Sequence, residues 1–245
     1  MITSFDNKTV IITGASAGVG AACARLFASH KAKLVLVARG EAALNVIADE
    51  LRSQCEVLTV VMNVASNEDC LALLEKAEAA FGAVHVIVNN AGMHARGDLE
   101  KVAPLDVAAM VDINLRAPLQ GAATYAATKA GLRAFSYALS DELLGSGISV
   151  GVVSPGPIDT GFIMDEIDAV EDIVFSQPMS SAEQVAEGIL AIASGQQVEV
   201  VLRASSAKLT HLSYLFPNLR RRLRPKLYEQ GRKNKDKYRN RQAAK

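Results

Sequence analysis

An α/β fold with a doubly wound, mostly parallel sheet and helices on both faces is predicted by three observations. Short apolar runs alternate strictly with segments of helical apolar spacing between Val10 and Val88, the order that builds a parallel sheet from strand–helix–strand units. The first run, Val10-Ile11-Ile12-Thr13, is β-branched and ends at a glycine cluster, as a buried strand does. Half of the 245 residues are apolar and mean hydropathy is +0.17, enough for a sizeable core.

The elements follow in order. Ala21 to Ser29 is an alanine-rich helix and Lys33 to Ala38 a second strand. Ala42 to Ser53 reads as a helix, Val57 to Val64 as a strand, and Asn67 to Phe81 as a helix that Asn67 can cap. Val84 to Val88 is the fourth strand. Further on, Pro104 to Leu119 and Thr124 to Leu144 read as helices and Ile148 to Val153 as a strand. Gly161 to Gln177 is a loop with short helical turns, Ser181 to Ala193 is a helix capped by Ser180 or Ser181, and Val198 to Leu202 is the last strand. No internal repeat appears.

Composition narrows the function classes. No apolar run approaches the 18 or so residues of a membrane span. The start, Met1 to Asp6, lacks the basic and apolar regions of a signal peptide. Cys23, Cys55 and Cys70 are too few and too dispersed for a disulfide framework or a metal cluster. A cytoplasmic protein is the expectation. The zero net charge hides an asymmetry: residues 1–202 carry 12 Lys/Arg against 24 Asp/Glu, and residues 203–245 carry 14 against 2. The division expected is an α/β domain over 1–202 and a basic C-terminal extension over 203–245, a charge block of the kind that marks an interaction segment.

The glycine cluster carries the first chemistry. Between a strand and a helix stands Gly14-Ala15-Ser16-Ala17-Gly18-Val19-Gly20. Glycines there permit a tight turn and close approach of a pyrophosphate, and the helix N-terminus supplies free N–H groups. Gly14, Ser16, Gly18, Val19 and Gly20 are thus candidate dinucleotide-binding residues; an ordinary turn is the alternative. At the end of the second strand, where an acid would accept from a ribose 2′-hydroxyl, stands Arg39. A guanidinium pairs with a 2′-phosphate, so NADP(H) is favoured over NAD(H), unless Arg39 is simply solvated. Tyr125 and Lys129 are four residues apart on a helix, hence on one face. An ammonium beside a phenol favours the phenolate, and such a pair can move a proton to or from an alcohol or carbonyl oxygen.

These motifs, with Asn89-Asn90-Ala91-Gly92, Asn114 and Pro155-Gly156-Pro157-Ile158-Asp159-Thr160 in the same order, resemble the short-chain dehydrogenase/reductase family over most of residues 5–202. The resemblance implies a Rossmann-type sheet, a nicotinamide cofactor, a small-molecule carbonyl or alcohol substrate and a homo-oligomer. It implies that Asn90, Ala91 and Gly92 line the adenosine side. Pro155, Gly156, Ile158 and Thr160 would border the nicotinamide and its phosphate, and the Asn63-Val64 pair would read adenine. Tyr125 and Lys129 would be catalytic and border the cofactor, and Asn114 would hold a water leading to Lys129.

One interval departs from the family. Only ten residues, Leu115 to Thr124, separate Asn114 from Tyr125. In the family this interval holds the rest of a long helix, a central strand and a loop with the catalytic serine. Ten residues cannot hold a helix of about eleven residues and a strand of five or six. The usual offset from Tyr125 falls on Asp112, and Thr124, the nearest hydroxyl, adjoins Tyr125 and should point elsewhere. Losing a central strand that buries about five apolar side chains would remove roughly 8–15 kcal/mol, comparable to the whole stability of a domain. Losing an oxyanion-stabilising donor would cost about 10²–10³ in rate. The sheet is therefore expected to lack or disrupt one central strand.

In the extension, Leu209, Leu212, Leu215, Phe216, Leu219 and Leu223 recur at three- and four-residue steps, interrupted by Pro217, and lead into Arg220-Arg221-Arg222. An apolar stripe running into a polybasic segment can lie on an anionic membrane. The alternative is a helix packed on the core or on a dimer partner, followed by a solvated tail. With only Tyr228 and Tyr238 as stacking partners among its last residues, the tail is poorly suited to nucleic acid. Two functions stand: an NADP(H)-dependent oxidoreductase acting on a small apolar substrate, or a catalytically impaired dinucleotide-binding relative produced by a deletion, a splice variant or a gene-model fragment.

Overall fold

The structure, a computed structural model, describes residues 2–93, 121–203 and 216–243, together with Leu105, Ala108, Ala109, Ile113 and Asn114. Residues 121–127, 217, 220, 242 and 243 are described by their backbone alone. Strands β1 (Thr9–Thr13), β2 (Lys33–Ala38), β3 (Val57–Val61) and β4 (Val84–Val88) form one parallel sheet in the order β3-β2-β1-β4. Helices α1 (Gly18–Ser29), α2 (Glu41–Leu51) and α3 (Asn67–Phe81) make the crossovers.

Side chains of a strand alternate between faces, and here both faces are apolar. Val10, Ile12, Leu34 and Leu36 pack with Phe27, Leu44, Ile47 and Leu51 on the α1/α2 side. Ile11, Val35 and Val37 pack with Leu73 and Ala77 of α3 on the other. Helix α3 has the predicted bounds but a different cap: Ser66, not Asn67, accepts from the Asp69 N–H at 3.2 Å. Ser66 is the last residue with extended backbone, which the N-cap requires, whereas Asn67 is already helical.

Beyond β4 the sheet does not continue among the described residues. Helix α4 (Gly121–Glu142) leads to β5 (Val152–Ser154), which pairs in parallel with β6 (Glu199–Val201) as a separate two-stranded sheet. The run expected as a strand from Ile148 is laddered only over three residues, because β6 offers three partners and Ile148 itself is exposed. Ile87 on β4 is 49% exposed, unlike the inner strands β1 and β2. Among the described residues the strands thus fall into two sheets. Of the predicted helix Pro104 to Leu119, only the five isolated residues named above are described, all with helical backbone; the rest of it, with Leu115 to Gln120, lies outside the described residues.

The second sheet is held by helices. Between β5 and β6 come α5 (Gly161–Met164), 3₁₀ turns at Ile167–Ala169 and Asp172–Ser176, and α6 (Ala182–Ala193). Ser181 opens α6 with a capping box, accepting from the Gln184 N–H while Gln184 accepts from its own. Helix α6 packs along α1, with Ala186 in the core of the first sheet. The extension supplies α7 (Pro217–Ala243), a 27-residue helix. Pro217 starts this helix rather than interrupting it, as suits a residue without an N–H. No helix among the described residues is long and apolar enough to cross a membrane.

Candidate functional site

The chain leaves β1 for β2 on one side and returns from β3 to β4 on the other, so a crevice opens at the C-terminal ends of β1 and β4. The glycine turn lies there. Gly14 and Gly18 have φ of +67° and +54°, which side chains disfavour. At Gly20 a Cβ would stand 2.1 Å from the Gly14 carbonyl oxygen, so only glycine fits. The Ala15 N–H donates to Val37 at 3.0 Å, joining the turn to β2. Ser16 is half-buried, while Val19 packs onto the core. Helix α1 begins without a side-chain cap, leaving its first N–H groups to the crevice.

The segment after β4 supports this turn. Asn90 donates through Nδ2 to the carbonyls of Thr13 (2.9 Å) and Gly14 (3.3 Å). The Thr13 hydroxyl accepts from the N–H groups of Asn90 (3.1 Å) and Ala91 (3.0 Å). Asn90 therefore spends its amide on the glycine turn rather than presenting it to a ligand. Thr13 is a supporting residue that sequence reasoning passed over; its signal was a hydroxyl ending a buried strand, where it must find partners.

On the adenosine side, Arg39 is exposed just past β2. Asn63 accepts through Oδ1 from the Ala65 N–H at 3.1 Å, so the acceptor oxygen expected for adenine is engaged within its own turn. Val64 packs against the α3-side core.

Across the crevice, Gly156 has φ +69° and leads into the turn Ile158–Thr160. Ile158 bridges to Ser180, the Asp159 N–H donates to the Ser180 carbonyl at 2.9 Å, and the buried Ser180 hydroxyl donates to Pro155 at 2.9 Å. This places Thr160 Cγ2 3.6 Å from where a Cβ of Gly18 would be. Two predicted site segments, 142 positions apart in sequence, thus face each other.

A third group meets at Gly92. A Cβ there would lie 3.1 Å from Asn114 Oδ1 and 3.5 Å from Lys129 Nζ. Asn114 is buried; its Nδ2 donates to the Met93 carbonyl at 2.7 Å and its Oδ1 accepts from the Met93 N–H at 3.0 Å. Burial pulls the pKa of the Lys129 ammonium down. Tyr125 precedes Lys129 by one turn of α4, and its side chain lies outside the described residues, as do Asp112 and the side chain of Thr124.

One turn after Lys129, Arg133 ties α4 to the second sheet. Its Nε and Nη2 donate to the two oxygens of Glu199 on β6 at 2.7 and 2.8 Å. Glu199 also accepts from Ser154 at 2.9 Å and from Tyr137. The Arg133 fork, aided by Tyr137 and Ser154, holds the Glu199 carboxyl down at about 2 despite burial. The signal for this anchor was an acid inside a valine run, which needs a partner once buried.

Comparison with known proteins accords with this architecture. The family described as short chain dehydrogenase matches over residues 8–124 and 116–171, two segments that overlap inside the interval Leu115–Thr124. The 3-oxoacyl-[acyl-carrier-protein] reductase of Escherichia coli is 29% identical over 227 aligned positions, covering 79% of this chain and 92% of that protein. That share of this chain is about 194 residues, so about 33 aligned positions face no residue here. An uncharacterized oxidoreductase of Bacillus subtilis, YxnA, is 28% identical over 266 positions, covering 92% of this chain and 74% of that protein. Among solved structures, a short chain dehydrogenase from Burkholderia cenocepacia in complex with NADP superposes with TM-score 0.73 at 21% identity, covering 82% of this chain and 98% of that one. A 3-ketoacyl-(acyl-carrier-protein) reductase from Brucella melitensis complexed with NADH gives 0.70 at 24%, covering 81% and 98%. The glycine turn, the facing Thr160 turn and a family match running from residue 8 to residue 171 carry one conclusion: the chain belongs to the short chain dehydrogenase family of oxidoreductases.

Proposed function

We propose that the chain binds NADP(H) and interconverts a carbonyl and an alcohol on a small, apolar substrate, with turnover lowered by the interruption between Asn114 and Tyr125. The observation that carries the reading is the interlocked crevice: a tight turn whose backbone requires glycine at Gly14, Gly18 and Gly20, at the open N-terminus of α1 and faced by Thr160. When bound, the nicotinamide supplies or accepts the hydride. The chain's own residues do the rest. The N-terminus of α1 and the glycine turn hold the pyrophosphate, and the Arg39 guanidinium meets a 2′-phosphate. Tyr125 exchanges the proton at the substrate oxygen, and Lys129, made easier to deprotonate by burial, passes it on beside Asn114. Homo-oligomerisation is part of the same reading, by family.

The split sheet favours a second reading, a dinucleotide-binding relative with little catalysis. Strands β4 and β5 each lack a neighbour on one side among the described residues, and they border the substrate half. Titration with NADPH and NADH, followed by a carbonyl-substrate screen on the same sample, separates the two. NADPH binding with turnover supports the first, NADPH binding without turnover selects the second, and binding of neither cofactor refutes both.

A further inference from the structure

The charge asymmetry of the sequence has a structural counterpart. Residues 159–172 contain six acids and no base, and α7 lies along them. Lys235 is buried, its Nζ donating to the carbonyls of Val170 (2.6 Å) and Asp168 (3.4 Å) and to Asp172 Oδ1 (3.2 Å). Asn234 donates to the Phe175 carbonyl at 3.0 Å, Arg239 pairs with Asp168, and Tyr238 packs on Phe175 with ring centroids 5.8 Å apart. At Gly231 a Cβ would stand 1.8 Å from the Asp172 carbonyl oxygen. A glycine inside a helix is unfavourable by about 1 kcal/mol; here it lets two backbones touch. At the far end Arg241 pairs with Asp159, the residue before Thr160. Arg241 thus reaches the residue next to Thr160, which faces Gly18 of the glycine turn across the crevice. The YxnA alignment takes in about 225 residues of this chain, more than residues 1–202 can supply, so it reaches into the extension.

We infer that α7 is a structural part of the dinucleotide site: docked through Gly231 and Lys235, it holds the Ile158–Thr160 turn against the glycine turn, with Arg241 as the positioning residue. The effect on cofactor affinity rests on the function proposed above; the effect on the turn does not. The full-length chain and its Gly231→Ala, Arg241→Gln and Arg241→Lys variants test it, by amide hydrogen exchange over residues 156–179, thermal melting and NADPH titration. Gly231→Ala improves helix propensity yet cannot dock, so it should speed exchange over 156–179 and weaken NADPH about tenfold. Arg241→Gln removes a half-exposed ion pair and should speed exchange at Asp159 and Thr160, weakening NADPH about two- to fivefold at an unchanged melting temperature. Arg241→Lys should recover most of that loss. Unchanged exchange in both Gly231→Ala and Arg241→Gln overturns the inference, as does wild-type NADPH affinity in both, or an Arg241→Lys variant as impaired as Arg241→Gln. If the wild-type chain binds no dinucleotide, the proposed function fails separately, and the exchange data alone decide whether α7 holds the turn.

Discussion

Replacing Glu199 by Gln keeps the shape of the β6 side chain and removes its charge, which makes it a direct test of the anchor between α4 and the second sheet. The folded carboxyl lies at about 2 against an ordinary 4.5, a difference that corresponds to roughly 3.4 kcal/mol at about 1.36 kcal/mol per unit. Arg133 is 38% exposed while Glu199 is 15% exposed, so water screens one partner. About half of the difference, roughly 1.5–2 kcal/mol, is the expected contribution. Because the folded value is depressed, this stability is fully present above about pH 4.5 and is lost as pH falls toward 2. Melting followed by circular dichroism should put Glu199→Gln about 3–8 °C below wild type at pH 7, and the gap should shrink below half by about pH 3. An equal gap at both pH values, or none at pH 7, would refute the ionic account of the anchor.

Other predictions address the cofactor half and the extension. Arg39→Asp should weaken NADPH by about 10- to 100-fold and leave NADH affinity near wild type, as expected for a charge-assisted contact worth roughly 1.5–3 kcal/mol; parallel titrations with the two cofactors check it. Gly20→Ala should abolish dinucleotide binding and lower stability by about 1–3 kcal/mol, measured by urea denaturation, because its Cβ meets backbone at 2.1 Å. At the start of α7, Phe216 and Leu219 are exposed beside the exposed cations Arg221, Arg222 and Lys226. Membrane contact, if made, belongs to this end, since Lys235, Arg239 and Arg241 are already paired with the body. The chain should co-sediment with phosphatidylserine vesicles in about 0.05 M salt and release in about 0.5 M, with truncation of residues 203–245 abolishing binding; failure to sediment at low salt removes that role.

Features legible in the sequence were those with local causes. A strand, a glycine turn and a helix need only neighbouring residues, so β1 to β4 and the turn were placed within a few positions. The Leu115–Thr124 shortfall was legible as arithmetic, because a strand and a helix have minimum lengths. Features that escaped depend on partners distant in sequence. That Asn63 spends its oxygen on Ala65, that Asn90 serves the glycine turn, and that Arg133 finds Glu199 66 positions away are settled by tertiary packing. In the extension, a helix packed on the body is one of the two readings the sequence allows, but its partner, the acidic loop near residue 170, is not legible, because no period links the two.

On the proposed function, the glycine turn keeps its shape for a reason that lies in where its support comes from. Among the described residues, the hydrogen bonds that shape the glycine turn come from β1, β2 and the β4 end, and only the facing Thr160 turn comes from beyond β4, after β5. The second sheet keeps its place by other means: α6 packs along α1, Arg133 clamps β6 to α4, and α7 braces residues 159–176. Those supports fix Thr160 and Lys129 relative to Gly18 and Gly92. They do not rebuild the face of β4, where Ile87 stays half exposed. On the proposed function, pyrophosphate binding rests chiefly on the glycine turn, whereas turnover also needs the substrate side beyond β4. The deficit should fall on the turnover of the bound complex and on substrate affinity, while NADPH affinity stays within the range that the glycine turn and Arg39 set.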